Sequence, residues 1–563
     1  PEEGYHLTED LVDKAISFIA DAKQVAPDKP FFMYFAPGAM HAPHHVRKEW
    51  SDKYKGQFDE GWDVYREKTF ARQKEMGLVP AESELSRHDP DVAPWDSLSA
   101  DEKRLYAHMM AVFAGFMEHT DFHLGRLFDF LKSLGEFDNT LIMLISDNGA
   151  SSEGGPTGSV NENLFFNQVK EDLQTNLAHI DELGGPTTFN HYPWGWTWAG
   201  NTPFRRWKRE TYRGGISDPF IVHFPSGFQT RGEVRSQYTH AIDMMPTVLD
   251  LAGIEPPADI KGVTQSPIEG FSFAHTLDDA GAEGKHHTQY FEMLGHRSIY
   301  HNGWRAVCPW PGPSFSEAGT GFGNPIPAEK LTELDAKGWE LYHVDVDFSE
   351  NQNIAEGNRA KLIEMIATWY VEAGKYNVLP VDGRGMPRML DERPQITKDR
   401  KRYTFYPHTQ AVPDNAGPRL LNRTHSITAD VEIPDGGAEG ALVSFGGVDG
   451  GYCLYVKDNK LQYVQNYVAR DYLHVESTVP IPAGHHELRF EFEVTGQPDF
   501  ANGKGTPGRA QLYIDGKLVG QADFPHTTPF SLGLTGGITV GADPGAPVAP
   551  FYEPPFEFTG VLH

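Results

Sequence analysis

Cysteine is nearly absent: Cys308 and Cys453 are the two in 563 residues, too few for a disulfide scaffold and without the C-x-x-C spacing of a thiolate-rich metal site. A single bridge between them stays open. No run of about twenty apolar residues occurs, which excludes a membrane-spanning helix. The opening stretch PEEGYHLTEDLVDKAISFIADAK has neither the basic start nor the apolar centre of a signal peptide. Positive charge is also scarce, with 49 Lys and Arg against 78 Asp and Glu and a formal charge of -29. Such a surface repels nucleic acid and anionic lipid. With 39% hydrophobic residues the chain is not disordered overall, and its length predicts roughly two to four domains.

Against that background, LIMLISDNG at residues 141–149 drives an apolar run straight into Ser146-Asp147-Asn148-Gly149. An α/β protein presents metal or anion ligands in this way, at the carboxyl end of a parallel strand. Two further runs read as strands: FFMYFAPGAMH, which ends in His41, and PFIVHFP at 219–225, preceded by the basic stretch NTPFRRWKR. Three separated segments are thus expected to converge on one crevice. The basic group Arg205, Arg206, Lys208 and Arg209 stands out in an acidic chain, although four neighbouring cations are more often a solvated surface.

The remaining pattern places these motifs. A helix capped by Thr8 leads into the FFMYFAP strand, residues 46–100 form a decorated connection, and Glu102 to Leu134 form a long helix with Tyr106, Met109, Met110, Phe113 and Phe116 on its packed face. The insertion after Asn148 carries His191, Trp194, Trp196 and Trp198, which either wall a substrate pocket or anchor the loop. A helix at 242–253 follows, then antiparallel strands in 285–350, a helix at 356–374 and a linker from Pro380 to Pro394. Short alternating runs dominate beyond residue 400. Asp458-Asn459 and Asp515-Gly516 are hairpin turns among them, so the tail reads as a two-sheet β-sandwich.

FFMYFAPGAMHAPH, YKGQFDEGWDVYRE, FDNTLIMLISDNG, NTPFRRWKRETYRGGISDPFIVHFP, AIDMMPTVLDLAG, YFEMLGHRSIYHNGWRAV and WELYHVDVDFSENQNIAE, in this order and spacing, resemble the type I sulfatases of the alkaline phosphatase-like superfamily over about residues 1–375. The resemblance implies an α/β sulfatase core, amino-terminally incomplete, over 1–260, a small antiparallel α+β subdomain over 261–385, and a lectin-like or jelly-roll sandwich over 400–563. It further implies an arylsulfatase that hydrolyses sulfate monoesters of a small molecule or glycan. Asp147 and Asn148 would be ligands of Ca2+, a hard cation suited to oxygen donors. His41 and Lys208 would be catalytic, the imidazole for hydrogen bonding and proton transfer and the ammonium for charge on the sulfuryl group. His44 and His45 lie close by, but the H-x-P form favours His41.

The sequence departs from the family in one respect. A formylglycine nucleophile arises in a C/S-x-P-x-R motif, and neither cysteine nor any serine has it. The early acidic pair, the motif arginine and a K-x-H pair are missing as well. The expectation is therefore a carboxyl-side portion of a larger sulfatase, inactive alone and exposing an apolar edge. An internal start, or an upstream polypeptide that completes the fold, would leave the same sequence, and any export signal would lie upstream. Two alternatives stay open: a phosphonate monoester or phosphodiester hydrolase on the same fold, and a non-catalytic glycan-binding or assembly module using Tyr463, Tyr467 and Tyr472.

Overall fold

The computed structural model describes residues 4–309, 337–383, 400–407 and 409–563. Most of the expected linker from Pro380 to Pro394 lies outside them. Helix α1 (Leu7–Val25) is capped not by Thr8 but by the His6 ring, whose Nδ1 accepts from Thr8 N at 3.2 Å. Helix α2 (Gly61–Glu75) packs under the insertion. Helix α3 (Ala100–Ser133) opens with a reciprocal box in which Ser99 and Glu102 satisfy each other's backbone N–H groups. Its Tyr106, Met109, Met110 and Phe116 are buried, as the 3.6-residue spacing requires.

Strands β1 (Ile142–Ile145) and β2 (Phe220–His223) pair antiparallel, with Ile145 opposite Phe220. The expectation of a parallel strand is thereby corrected. Residues 146–219 leave and re-enter the sheet at the same end, joined by Ser146 N donating to Pro219 O at 3.4 Å, and a parallel pairing would need a crossover to the far end. The FFMYFAP segment is not a strand either. It is extended, with Phe31, Met33 and Phe35 packed on α1 and α3, but no described strand pairs with it. Phe32 and Tyr34 on its other side are 81% and 85% exposed, and Leu144, Ile145 and Ile221 of β1 and β2 are exposed too. Several apolar side chains of these segments are thus open to solvent.

Helix α4 (Met244–Ala252) ends at Gly253, whose φ of 63° is the left-handed conformation a helix stop favours. Strands β3 (Thr288–Met293), β4 (His296–His301), β5 (Trp304–Cys308) and β6 (Glu340–His343) form an antiparallel sheet in chain order, backed by α5 (Arg359–Lys375). Met365 and Trp369 of α5 pack against Ile299, Ala306 and Leu341.

The tail is a sandwich of two five-stranded sheets. Its strands are β7 (His425–Ile433), β8 (Gly440–Gly447), β9 (Gly450–Lys457), β10 (Lys460–Tyr467), β11 (Asp471–Glu476), β12 (Gly484–Val494), β13 (Gly508–Ile514), β14 (Lys517–Phe524), β15 (Thr539–Val540) and β16 (Val561–Leu562). One sheet runs β11-β10-β9-β8-β15 and the other β14-β13-β12-β7-β16. Asp458-Asn459 and Asp515-Gly516 turn the β9–β10 and β13–β14 hairpins, all four with positive φ. β7 and β12 alternate buried and solvated residues, as one-sided strands do. β8, β9 and β10 are buried on both faces because Val548, Ala549 and Tyr552 cover Ala441, Cys453, Tyr455 and Val464. Cys308 and Cys453 are buried and unbridged.

The sandwich is bound to the 146–219 excursion by three asparagines. Asn161 donates to Asp449 O at 3.0 Å and Val468 O at 2.9 Å, Asn163 to Asp449 O at 3.1 Å, and Asn167 to Ser531 O at 2.9 Å. Asn167 Oδ1 in turn accepts from the backbone of Phe530 and Ser531. Each buried amide group thus finds a partner across the junction, which orders the turn carrying Glu162. Of the tyrosines considered for glycan contact, Tyr463 is buried and stacks on Phe490 at 3.6 Å. Tyr467 is buried and donates to Gly503 O, and Tyr472 packs edge-on to Phe551. These rings complete the sandwich rather than offer a binding face.

Candidate active site

The 146–219 excursion holds most of the polar residues singled out from the sequence. Its first turn is shaped by a close approach: a Cβ on Gly149 would lie 1.8 Å from Gly214 O, and Gly149 N donates to Gly215 O at 3.2 Å. Only glycine lets the DNG turn sit against the Arg213-Gly214-Gly215 turn. Ala150 N then donates to Asn201 Oδ1 at 2.9 Å, and Lys208 N to Ala150 O at 3.1 Å. These bonds lock the NTPFRRWKR segment alongside the loop that carries Asp147 and Asn148.

Within that segment Arg206 and Arg209 both take positive φ, 59° and 79°, which non-glycine residues adopt only when surroundings enforce it. The enforcing contacts are ionic. Arg206 reaches inward to Asp89 at 2.7 Å, Asp91 at 2.9 Å and Glu210 at 3.0 Å. Arg209 pairs with Glu153, and Arg205 donates to the Tyr342 hydroxyl at 2.9 Å. The basic group is therefore largely an internal ion-pair network, and Lys208 is the member beside His41.

Lys208 Nζ lies 3.1 Å from His41 Nε2 and 3.0 Å from Glu153 Oε2, and His41 Nε2 is 3.6 Å from that same oxygen. The His41 Nδ1–H donates to Ala42 O at 2.9 Å, which leaves Nε2 to face the cluster. Ser151 Oγ also donates to Glu153, at 3.0 Å. The His41 and Lys208 side chains are 53% and 20% exposed, whereas Glu153 is buried. Glu153 thus holds two nitrogen donors side by side at an open surface.

The electrostatics follow from that arrangement. The Glu153 contact raises the His41 pKa, against the opposing effect of burial. Burial alone would raise Glu153, but the His41 hydrogen bond and the charges of Arg209 and Lys208 overcome it and hold the carboxyl well below its usual range. Glu162, enclosed nearby, is pushed up to about 7 by burial and then by Glu153's charge, and its Oε1 has no hydrogen-bond partner. His191 is lowered to about 4 by burial. A raised folded-state value for His41 means that the pair's contribution to stability is complete below the unfolded pKa and is lost as pH rises through the folded one. In an NMR titration His41 is expected to protonate at a higher pH than the ordinary value of about 6.5, and Glu153→Gln to bring it down. Identical titrations in the two proteins would remove Glu153 as the cause.

Asp147 is exposed and Asn148 half-buried, and no hydrogen bond joins either side chain to His41 or Lys208 among the described residues. The connection between the two groups runs through the Lys208–Ala150 backbone bond. Asp147 instead faces Asp218, which the sequence reading missed. Asp218 is pushed up to about 7 by burial and then by the Asp147 charge. Two carboxyls and a neighbouring amide oxygen are the donor types that a hard divalent ion takes. Glu153, Glu162 and Asp218 were missed for a common reason, since isolated acidic residues in Gly-rich sequence look like solvated loop. The tryptophans resolve the other way. Trp194, Trp196 and Trp198 are buried with Trp62, Trp95 and Trp207 and anchor the excursion.

A second polar cluster lies apart from these residues: His6, Glu9 and His119 place potential ligand atoms within 4.8 Å of one another, a group capable of chelating a metal. Among the described residues no helix is long and apolar enough to cross a membrane.

Comparison with known proteins fits this architecture. The Sulfatase family model matches residues 1–254. An uncharacterized sulfatase of Schizosaccharomyces pombe is 28% identical over 375 residues, 65% of this chain and 61% of the relative. An arylsulfatase of Klebsiella aerogenes is 27% identical over 254 residues, 45% of this chain and 52% of the relative. The chain thus spans 61% and 52% of the length of these two curated relatives. The crystal structure of Ps i-CgsB aligns with a TM-score of 0.40 at 19% identity, covering 71% of this chain and 63% of the other. Residues 1–254 are accordingly a type I sulfatase domain of the alkaline phosphatase-like class.

Proposed function

We propose that this chain forms part of a sulfuric ester hydrolase, an arylsulfatase acting on sulfate monoesters of a small molecule or glycan. One observation carries the reading. Lys208 Nζ and His41 Nε2 stand 3.1 Å apart at an open surface, and a single ionised carboxylate offsets Lys208 and Arg209. Because Glu162 is pushed up to about 7, it is only about half ionised at neutral pH. The local balance is cationic in a protein that is otherwise acidic, which suits a sulfate group.

In this reading Lys208 binds a sulfate oxygen and holds charge that develops there, while His41 gives or takes a proton at Nε2. Glu153 orients both. Asp147 and Asn148, with Asp218 close by, would hold Ca2+, which when bound polarises the ester and neutralises charge. No C/S-x-P-x-R motif occurs in this sequence, so none of its residues is assigned as the formylglycine nucleophile. The segments 1–260, 261–385 and 400–563 are our division into catalytic domain, α+β subdomain and sandwich.

Steady-state assays of the natural gene product test this assignment, comparing aryl sulfates with phosphonate monoesters and phosphodiesters. The sulfate is expected to give the highest kcat/KM. Preference for either phosphorus ester would replace the arylsulfatase reading with the related hydrolase.

A further inference from the structure

We propose that His6, Glu9 and His119, with His123 at the margin, form a binding site for a first-row divalent cation of the zinc class, which would clip α1 to α3. The three ligand atoms lie within 4.8 Å of one another, and tetrahedral zinc needs its ligand atoms about 3.3 Å apart. Glu9 Oε1 is the hub, 3.1 Å from His119 Nε2 and 3.9 Å from His123 Nε2. His119 and His123 are four residues apart on α3 and so share one face, the spacing at which two imidazoles reach a common ion.

Two further features bear on a ligand there. His6 Nε2 donates to His45 O at 2.9 Å, which leaves the Nδ1 lone pair as the ligating atom; it now accepts from Thr8 N at 3.2 Å, a cap that an ion would displace. A ligating histidine is typically oriented by a second hydrogen bond such as the one to His45 O. His119 is fully enclosed and its Nδ1 has no hydrogen-bond partner among the described residues, while its Nε2–H donates to Glu9 Oε1 at 3.1 Å, a contact whose proton an ion would replace.

Arg47 is the competing cation, with Nη1 3.0 Å from Glu9 Oε1 and Nη2 3.2 Å from Oε2. Its side chain is 42% exposed and can keep Oε2 while the ion takes Oε1. Arg126, which contacts His123 Nδ1 at 2.9 Å, makes His123 the weakest of the four donors. A set of imidazoles and one carboxylate selects zinc-like ions over calcium, which takes oxygen ligands. The site is separate from Asp147 and Asn148 and does not depend on the sulfatase reading.

Isothermal titration of Zn2+ into the untagged, EDTA-stripped full chain tests the site, with Ca2+ as comparison. The expected result is one equivalent of zinc bound, not displaced by calcium, and a higher thermal midpoint. Glu9→Gln and His6→Ala should each weaken binding at least tenfold. His119→Ala should do the same, and far-UV circular dichroism of all three in EDTA establishes that the apo fold is retained. Glu9→Gln guards against a folding defect, because Glu9 is half-buried and neither caps α1 nor lies in the core. Absence of zinc uptake, equal uptake of calcium, or zinc uptake unchanged in His6→Ala and Glu9→Gln would each overturn the proposal.

Discussion

Replacing Arg206 with methionine is expected to lower folding stability by about 3–5 kcal/mol, the cost of leaving a buried ion pair without one partner. Arg206, Asp89 and Glu210 have side chains 7%, 3% and 1% exposed, so water cannot replace the guanidinium. Burial would lower the Arg206 pKa, but the charges of Glu210 and Asp89 dominate and raise it well above the ordinary range. A urea titration read by tryptophan fluorescence reports the loss locally, since the Arg206 Cζ is 4.7 Å from the centre of the Trp207 ring. Adding Asp89→Asn and Glu210→Gln to the methionine variant should recover part of the stability, because the uncompensated charges are then gone. A single variant within about 1 kcal/mol of the parent would show that the carboxylates are solvated or protonated instead. Arg206→Lys should recover little, since one ammonium cannot reproduce the guanidinium fork that serves three carboxylates.

In the natural gene product, Lys208→Ala is expected to reduce kcat for a sulfate ester by about a hundred- to a thousandfold, the scale seen when one preorganised donor to a developing anion is removed. Lys208 lies 3.1 Å from His41 and is tied by its backbone to Ala150 in the DNG loop, so the loss should fall on the transition state more than on substrate binding. Steady-state kinetics separates these cases, because removal of uniform binding would raise KM and leave kcat unchanged. A decrease of less than tenfold in kcat/KM would take Lys208 out of the reaction. Glu153→Gln should act through position instead, changing the pH profile along with the His41 titration.

Much of the architecture is legible in local sequence pattern. The α3 stripe and the Asp458-Asn459 and Asp515-Gly516 hairpins each depend on residues within one turn of one another, and each occurs where the pattern places it. The strands that were misread depend on distant partners. FFMYFAP has strand composition and even alternates in burial, but a strand exists only when another segment accepts its hydrogen bonds. The direction of β1 against β2 was likewise undecided locally, because it is set by the end of the sheet to which residues 146–219 return. Lys208 could be picked out by its motif, whereas Glu153 could not, since nothing within its own stretch indicates a partner fifty-five residues away.

The sequence by itself determined most of the helices and the hairpins and the sandwich character of the tail, because periodicity and turn signals are properties of neighbouring residues, and its resemblance to the sulfatases singled out His41, Asp147, Asn148 and Lys208 as candidates. Tertiary structure alone decided which charges meet. It gave Arg205, Arg206 and Arg209 separate partners, left Lys208 beside His41, enclosed Glu153 and Glu162, and buried the tryptophans of the excursion. The physical reason is that an ionisable side chain acquires its protonation state and its chemistry from burial and from opposite charges within a few ångströms, and those neighbours are assembled only when the 146–219 excursion folds back onto the helices, β2 and the sandwich.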